Sequence, residues 1–135
     1  MSIKWDKQKV ADVIQEAREV GAACAREKLR ELQGAGPQFE VTDGNGVCQG
    51  QLLDVCGFAT IKIPARGGFY THAKALSEFH QYRMSCGRAY GGGGRLSIFD
   101  STMRQEMSVN KAACVGQLSV LAKYDIIGRV ETRID

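Results

Sequence analysis

From Val55 to Ile63 the chain alternates two sets of residues, with Val55, Gly57, Ala59, Ile61 and Ile63 interleaved with Cys56, Phe58, Thr60 and Lys62. A period of two belongs to a half-buried strand, and a slip of one residue would turn the apolar set into water. Pro64 cannot donate to a ladder and closes the strand, and Ala65-Arg66-Gly67-Gly68 turns the chain towards a helix. Arg66, Gly67 and Gly68 form a candidate anion site, because backbone N–H groups, a helix N-terminus and a guanidinium can meet there. The same residues also fit an ordinary glycine-permitted turn. Their spacing is neither a P-loop nor a dinucleotide fingerprint.

The segments on either side must cover the apolar face of that strand. Asp6 is placed to cap a helix from Lys7 to Gln33, with Val10, Val13, Ile14, Ala17, Gly21, Cys24 and Ala25 on one stripe. The stripe is narrow and rich in small residues, so it suits close packing on the domain or on a second copy, and a homodimer is expected. Phe39 and Val41 suggest a short strand, and Asp43-Gly44-Asn45-Gly46 a hairpin turn. Asp43 and Asn45 open like a calcium loop whose acidic closing ligand is missing, so no metal or other cofactor is expected.

Beyond the opening strand, Thr71 is placed to cap a helix from His72 to about Arg83, with Ala73, Leu76, Phe79 and His80 inward. Met84–Gly94 reads as a break, and its glycine run permits close backbone approach or a flap. Arg95–Phe99 is the next strand. Ser101 or Thr102 caps a last helix, Thr102 and Gln105 having capping-box spacing, with Met107, Cys114, Val115, Leu118, Leu121 and Ala122 as its apolar stripe. Asp125 is expected to end it in the left-handed conformation. A final strand carries Ile126, Gly128, Val130, Thr132 and Ile134 on one face and Arg129, Glu131 and Arg133 on the other.

This order predicts a single α+β domain over residues 1–135. A long N-terminal helix (1–34), with a possible role in oligomerisation, precedes a βαβαβ core over 55–135. The core is expected to be a small sheet of three to five strands with two helices packed on one face. An apolar fraction of 44% and a charged fraction of 24% suit a globular domain, and no run approaches the roughly 18 apolar residues of a membrane helix. A soluble cytoplasmic protein with no membrane partner is expected. Cys24, Cys48, Cys56, Cys86 and Cys114 are odd in number and lack a CxxC pair, which argues against zinc and against a disulfide framework.

The formal charge of +3 is unevenly spread, because residues 57–104 hold seven basic and two acidic side chains. That excess suggests an anionic partner, and a merely solvated basic face fits it equally. If helices cover one side of the sheet, the other side carries Phe58, Thr60, Lys62, Arg95, Ser97, Phe99, Arg129 and Arg133. Rings among cations suit single-stranded nucleic acid or a nucleotide, through stacking and phosphate pairing, unless the first helix or a second subunit covers that face. Arg66, Gly67, Gly68, Thr71, Phe58, Lys62, Arg95, Arg129 and Arg133 are therefore the candidate ligand-binding residues. No catalytic set is assigned, although Cys86 with His72 and His80 offers a nucleophile and bases if folding joins them.

The strand Cys56-Gly57-Phe58-Ala59-x-Ile61-x-Ile63, the turn Ala65-Arg66-Gly67-x-Phe69, the helix with Lys111-Ala112-Ala113 and the closing Arg133-x-Asp135 together resemble a family of small tailed-phage proteins. The likeness spans roughly residues 55–135, with Asp125 where that family has glycine. It implies a phage protein acting in the host cell and carries no assigned activity. The expected function is a non-enzymatic binding protein for nucleic acid or a nucleotide-like ligand. The alternatives are an oligomeric module that inhibits a host defence or regulatory complex, and a small Cys/His enzyme.

Overall fold

The computed structural model describes residues 3–35, 56–101 and 106–134 with their side chains, and the backbone of 39–42 and 48–52. The first helix, α1 (Lys7–Ala35), begins as expected, with Asp6 Oδ1 accepting the Lys9 amide at 2.7 Å. Strands β1 (Phe39–Thr42) and β2 (Cys48–Leu52) form the anticipated antiparallel hairpin as a separate two-stranded sheet. The turn residues Asp43 and Asn45 lie outside the described residues, as do Thr102 and Gln105.

The core sheet contains β3 (Gly57–Ile63), β4 (Met84–Arg88), β5 (Gly94–Ile98) and β6 (Arg129–Ile134) in the order β4-β5-β3-β6, with every neighbouring pair antiparallel. With α2 (Gly67–Leu76) after β3 and α3 (Met107–Lys123) after β5, the connectivity is β-α-β-β-α-β, a split βαβ arrangement. The expected α+β fold stands, but the βαβαβ reading needs one more strand. Met84–Gly94 is β4 and its hairpin, not a break. Its glycine run is the turn, with Gly91, Gly92 and Gly93 at φ of 88°, 108° and 74° and Ala89 N donating to Gly93 O at 2.9 Å.

Helix α2 also differs from expectation. It starts at Gly67 and ends at Leu76, and a short 3₁₀ turn (His80–Tyr82) follows, with Arg83 at φ 48°. His80 and Phe79 are exposed instead of inward. Thr71 lies inside the helix, where its Oγ1 donates to Gly67 O at 2.9 Å. Phe69 and Tyr70 are both buried, so the helix must start early enough to aim them inward.

All three helices lie on one side of the sheet. Ile61, Ile63, Leu96, Ile98, Met84 and Cys86 face them and join Val10, Val13, Ile14, Leu76, Val120 and Leu121 in one core. Helix α3 is sandwiched between the sheet and α1, so it buries Val109, Cys114, Gly116, Gln117, Val120 and Leu121. Val115 and Ala122, expected inward, are exposed. Gly21 of α1 and Gly116 of α3 meet at the crossing, and a Cβ on Gly116 would sit 3.1 Å from Gly21 Cα. The small-residue stripe of α1 is therefore spent on α3. Asp125 ends α3 at φ 62°, as its short polar side chain suggested.

Candidate nucleic-acid interface

The register fixes which side chains share the uncovered face, because directly opposed residues of antiparallel strands point the same way. Lys62 is opposite Arg95 on one side and Arg129 on the other. Three cations thus stand in a row across β5, β3 and β6, with strands roughly 4.8 Å apart. Like charges placed directly opposite one another destabilise a sheet. Glu131 relieves part of this, its Oε1 lying 3.0 Å from the Arg129 guanidinium and 3.9 Å from Lys62 Nζ. Arg95 and Arg133 make no ion pair among the described residues, and both are exposed.

Phe58 is opposite Arg133, and its ring is 57% exposed, so no helix lies over it. Phe58, Thr60, Arg95, Glu131 and Arg133 line a shallow groove of about 560 Å³ along the face. Of the two possible covers for this face, the first helix is therefore ruled out. Phe99 does not belong to the groove: β5 ends at Ile98, and Phe99 is half-buried at the strand end. Tyr90, which sequence reasoning passed over, is 99% exposed on the glycine hairpin. Beside it Gly93 crosses the Lys62 side chain, where a Cβ would lie 3.0 Å from Lys62 Cε. The only sequence signal for Tyr90 was an aromatic residue abutting four glycines.

Arg66, Gly67 and Gly68 lie off the face, where β3 hands over to α2. They line a hollow of about 440 Å³ with Trp5, Tyr124 and Asp125. Arg66 is extended and makes no side-chain bond to the helix it precedes. Gly67 has φ 91°, and Gly68 leaves room for Trp5, whose Cβ would be 2.9 Å from an added methyl. Thr71 is one turn inside α2 and gives nothing to the first-turn amides. Asp125 brings an acidic group into the hollow, which weakens its claim to an anion.

The Cys/His set does not assemble. Cys86 faces the core from β4, and burial pushes its thiol up to about 11, the reverse of an activated nucleophile. His80 is exposed on the 3₁₀ turn and His72 half-buried on α2, and no hydrogen bond joins the three. Among the described residues no cluster of three metal-ligating side chains occurs, and no helix is long and apolar enough to cross a membrane. Comparison of the chain with protein-family models, curated proteins and solved structures finds no match.

Proposed function

We propose that the protein binds single-stranded nucleic acid across the open face of its four-stranded sheet. The observation that carries this reading is the Arg95–Lys62–Arg129 row. A sheet that spends stability on three opposed cations, with one glutamate among them, gains that stability back when phosphates lie over the row. Phe58 supplies a ring on which a base can stack, and Arg133 beside it a further phosphate partner. Helix-backed four-stranded sheets are known to hold RNA in this way, but through several rings in the central strands. In this chain Phe58 is the one large exposed ring on the described face, so the likeness is one of geometry alone.

Arg66, Gly67 and Gly68 extend the cationic surface past the end of β3, and the exposed Tyr90 adds a second ring at that end. The phage-like residues 55–135 supply the setting of this proposal, an infected bacterial cytoplasm. A homodimer would have to form outside the α1 stripe, for instance around the half-buried Leu29 and Leu32. Inhibition of a host protein complex has no comparable observation behind it.

The test is fluorescence anisotropy with a labelled single-stranded oligonucleotide at rising salt. The logarithm of affinity should fall linearly with that of salt, and Arg95→Ala and Arg133→Ala should each reduce the slope by about 0.7. Arg133→Ala should leave the melting temperature unchanged, since that side chain is exposed and has no ion pair among the described residues, and Arg95→Ala should leave it unchanged or raise it slightly, since it removes one of three opposed cations. Absent or salt-insensitive binding would defeat the proposal.

A further inference from the structure

The pairing of β3 with β5 runs through Ile63–Gly94, Lys62–Arg95 and Ile61–Leu96 and is not continued to Thr60 and Ser97. Each strand goes on pairing with its outer neighbour, β3 with β6 as far as Gly57 and β5 with β4 as far as Ile98. The two central strands therefore part company, and the sheet has a split at this end.

Two amide side chains of α3, two turns apart, reach the split from below. Asn110 Nδ2 donates to Gly57 O at 3.0 Å and Gln117 Nε2 donates to Ile98 O at 3.2 Å. These are carbonyls that a closed ladder would otherwise serve. The Gln117 contact fixes the orientation of its amide. A carbonyl oxygen only accepts, so the atom facing Ile98 O must be the nitrogen, and the other is Oε1. Gln117 is 1% exposed, and its Oε1 is buried with no hydrogen-bond partner among the described residues. A buried acceptor left in this state is a cost that an incoming donor relieves. Gly21 keeps the amide in place, since a Cβ there would lie 2.7 Å from Gln117 Cγ.

The split encloses about 130 Å³, walled by Phe58, Ala59, Ile98, Phe99, Cys114 and Gln117, with Asp100 at the same cleft. A cavity of about 150 Å³ holds one benzene ring, so this cleft is on the scale of a single six-membered ring and well short of a fused pair. Phe58 and Thr60 line both the split and the groove over the open face, so an occupant can reach it from a strand lying on that face.

We propose that the split is a base pocket, into which one pyrimidine of a bound single strand inserts and donates a hydrogen bond to Gln117 Oε1. The donor is the amino group of cytosine or the ring N–H of uracil or thymine, and purines are turned away by size. This deepens the open-face reading and rests on it.

The experiment compares oligopyrimidine and oligoadenylate strands of equal length by anisotropy, using the full chain and its Gln117→Met variant. The pyrimidine strand should bind the native chain roughly fivefold more tightly than the adenine strand, the worth of one hydrogen bond, and Gln117→Met should erase that difference. So that the test survives a failure of Gln117→Met to fold, the native chain is also titrated with free uridine and with free adenosine while the Gln117 side-chain amide is followed by NMR. Uridine should shift it and adenosine should not. Equal affinity for both strands, with no uridine shift, overturns the pocket and leaves the open-face reading standing. A uridine shift without binding of either strand upholds the pocket and overturns the open-face reading. Absence of both effects overturns both.

Discussion

Gly21→Ala should destabilise the protein, although alanine is the better helix former. The new Cβ would sit 2.7 Å from Ala113 O and 2.7 Å from Gln117 Cγ, against an ordinary contact of 3.4 Å or more. One of the two neighbours is backbone, so α1 and α3 must move apart by about 0.7 Å at their crossing. Such overpacking costs about 1–3 kcal/mol, against a propensity gain of about 1 kcal/mol for replacing glycine within a helix. The net loss is about 0–2 kcal/mol, centred near 1 kcal/mol, or roughly 4 °C in Tm for a domain of this size. Gly34→Ala is the internal control: it lies in the same helix with nothing within 4 Å of its added methyl. It should leave stability unchanged or raise it by up to about 0.5 kcal/mol. Thermal unfolding followed by circular dichroism reads both. If Gly21→Ala stabilises as Gly34→Ala does, α1 does not lie on α3 at this distance. Its small-residue stripe is then free to pack on a second copy or over the cationic sheet face.

Arg18 fastens α1 to the end of β5 and to the 3₁₀ turn, donating to Phe99 O at 2.8 Å, to Arg83 O at 3.1 Å and to Tyr82 O. Arg18→Ala should cost about 2–4 kcal/mol in urea unfolding, and Arg18→Lys should recover little of it, because an ammonium cannot fork across three carbonyls. Glu16 accepts from Lys123 Nζ and, at 2.8 Å, from the Tyr124 hydroxyl, and these bonds hold its carboxyl below the usual range. A depressed carboxylate pKa stabilises the fold above the unfolded value of 4.5, and the contribution fades as pH falls through the lower folded value. The Tm difference between the native chain and Glu16→Gln should therefore shrink below about pH 4.5, and salt should reduce it at neutral pH.

Where one face of an element is buried and the other wet, the sequence announced it. The alternation of β3, the stripe of α1, the cap at Asp6, the left-handed Asp125 and the cationic side of β6 were all legible for this reason. The missed features share a different origin. Strand β4 has only Met84 and Cys86 to mark its inner face, and its neighbours Ser85 and Gly87 carry little strand preference. Thr71 has the chemistry of a cap, but burial of Phe69 and Tyr70 outweighs it and starts α2 at the glycines. Helix α3 packs on two sides, so a search for one stripe misplaced Val115 and Ala122 and overlooked Gly116 and Gln117. A sheet order that passes through an unseen strand cannot be deduced, which is why the antiparallel pairing went unanticipated. The candidate face was legible because its cations alternate with apolar residues. The split between β3 and β5 was not, because it depends on where a ladder stops and on two amides of a distant helix.

Amide chemical-shift mapping of the labelled protein with a short single-stranded oligonucleotide tests the central claim most directly. Shifts should concentrate on Phe58, Thr60, Lys62, Arg95 and Arg133, with Tyr90 at their edge and the Gln117 side-chain amide moving only with a pyrimidine strand, while the backbone of α1 stays unmoved. Shifts confined to α1, or to the hollow around Trp5 and Arg66 with the sheet face silent, would contradict it.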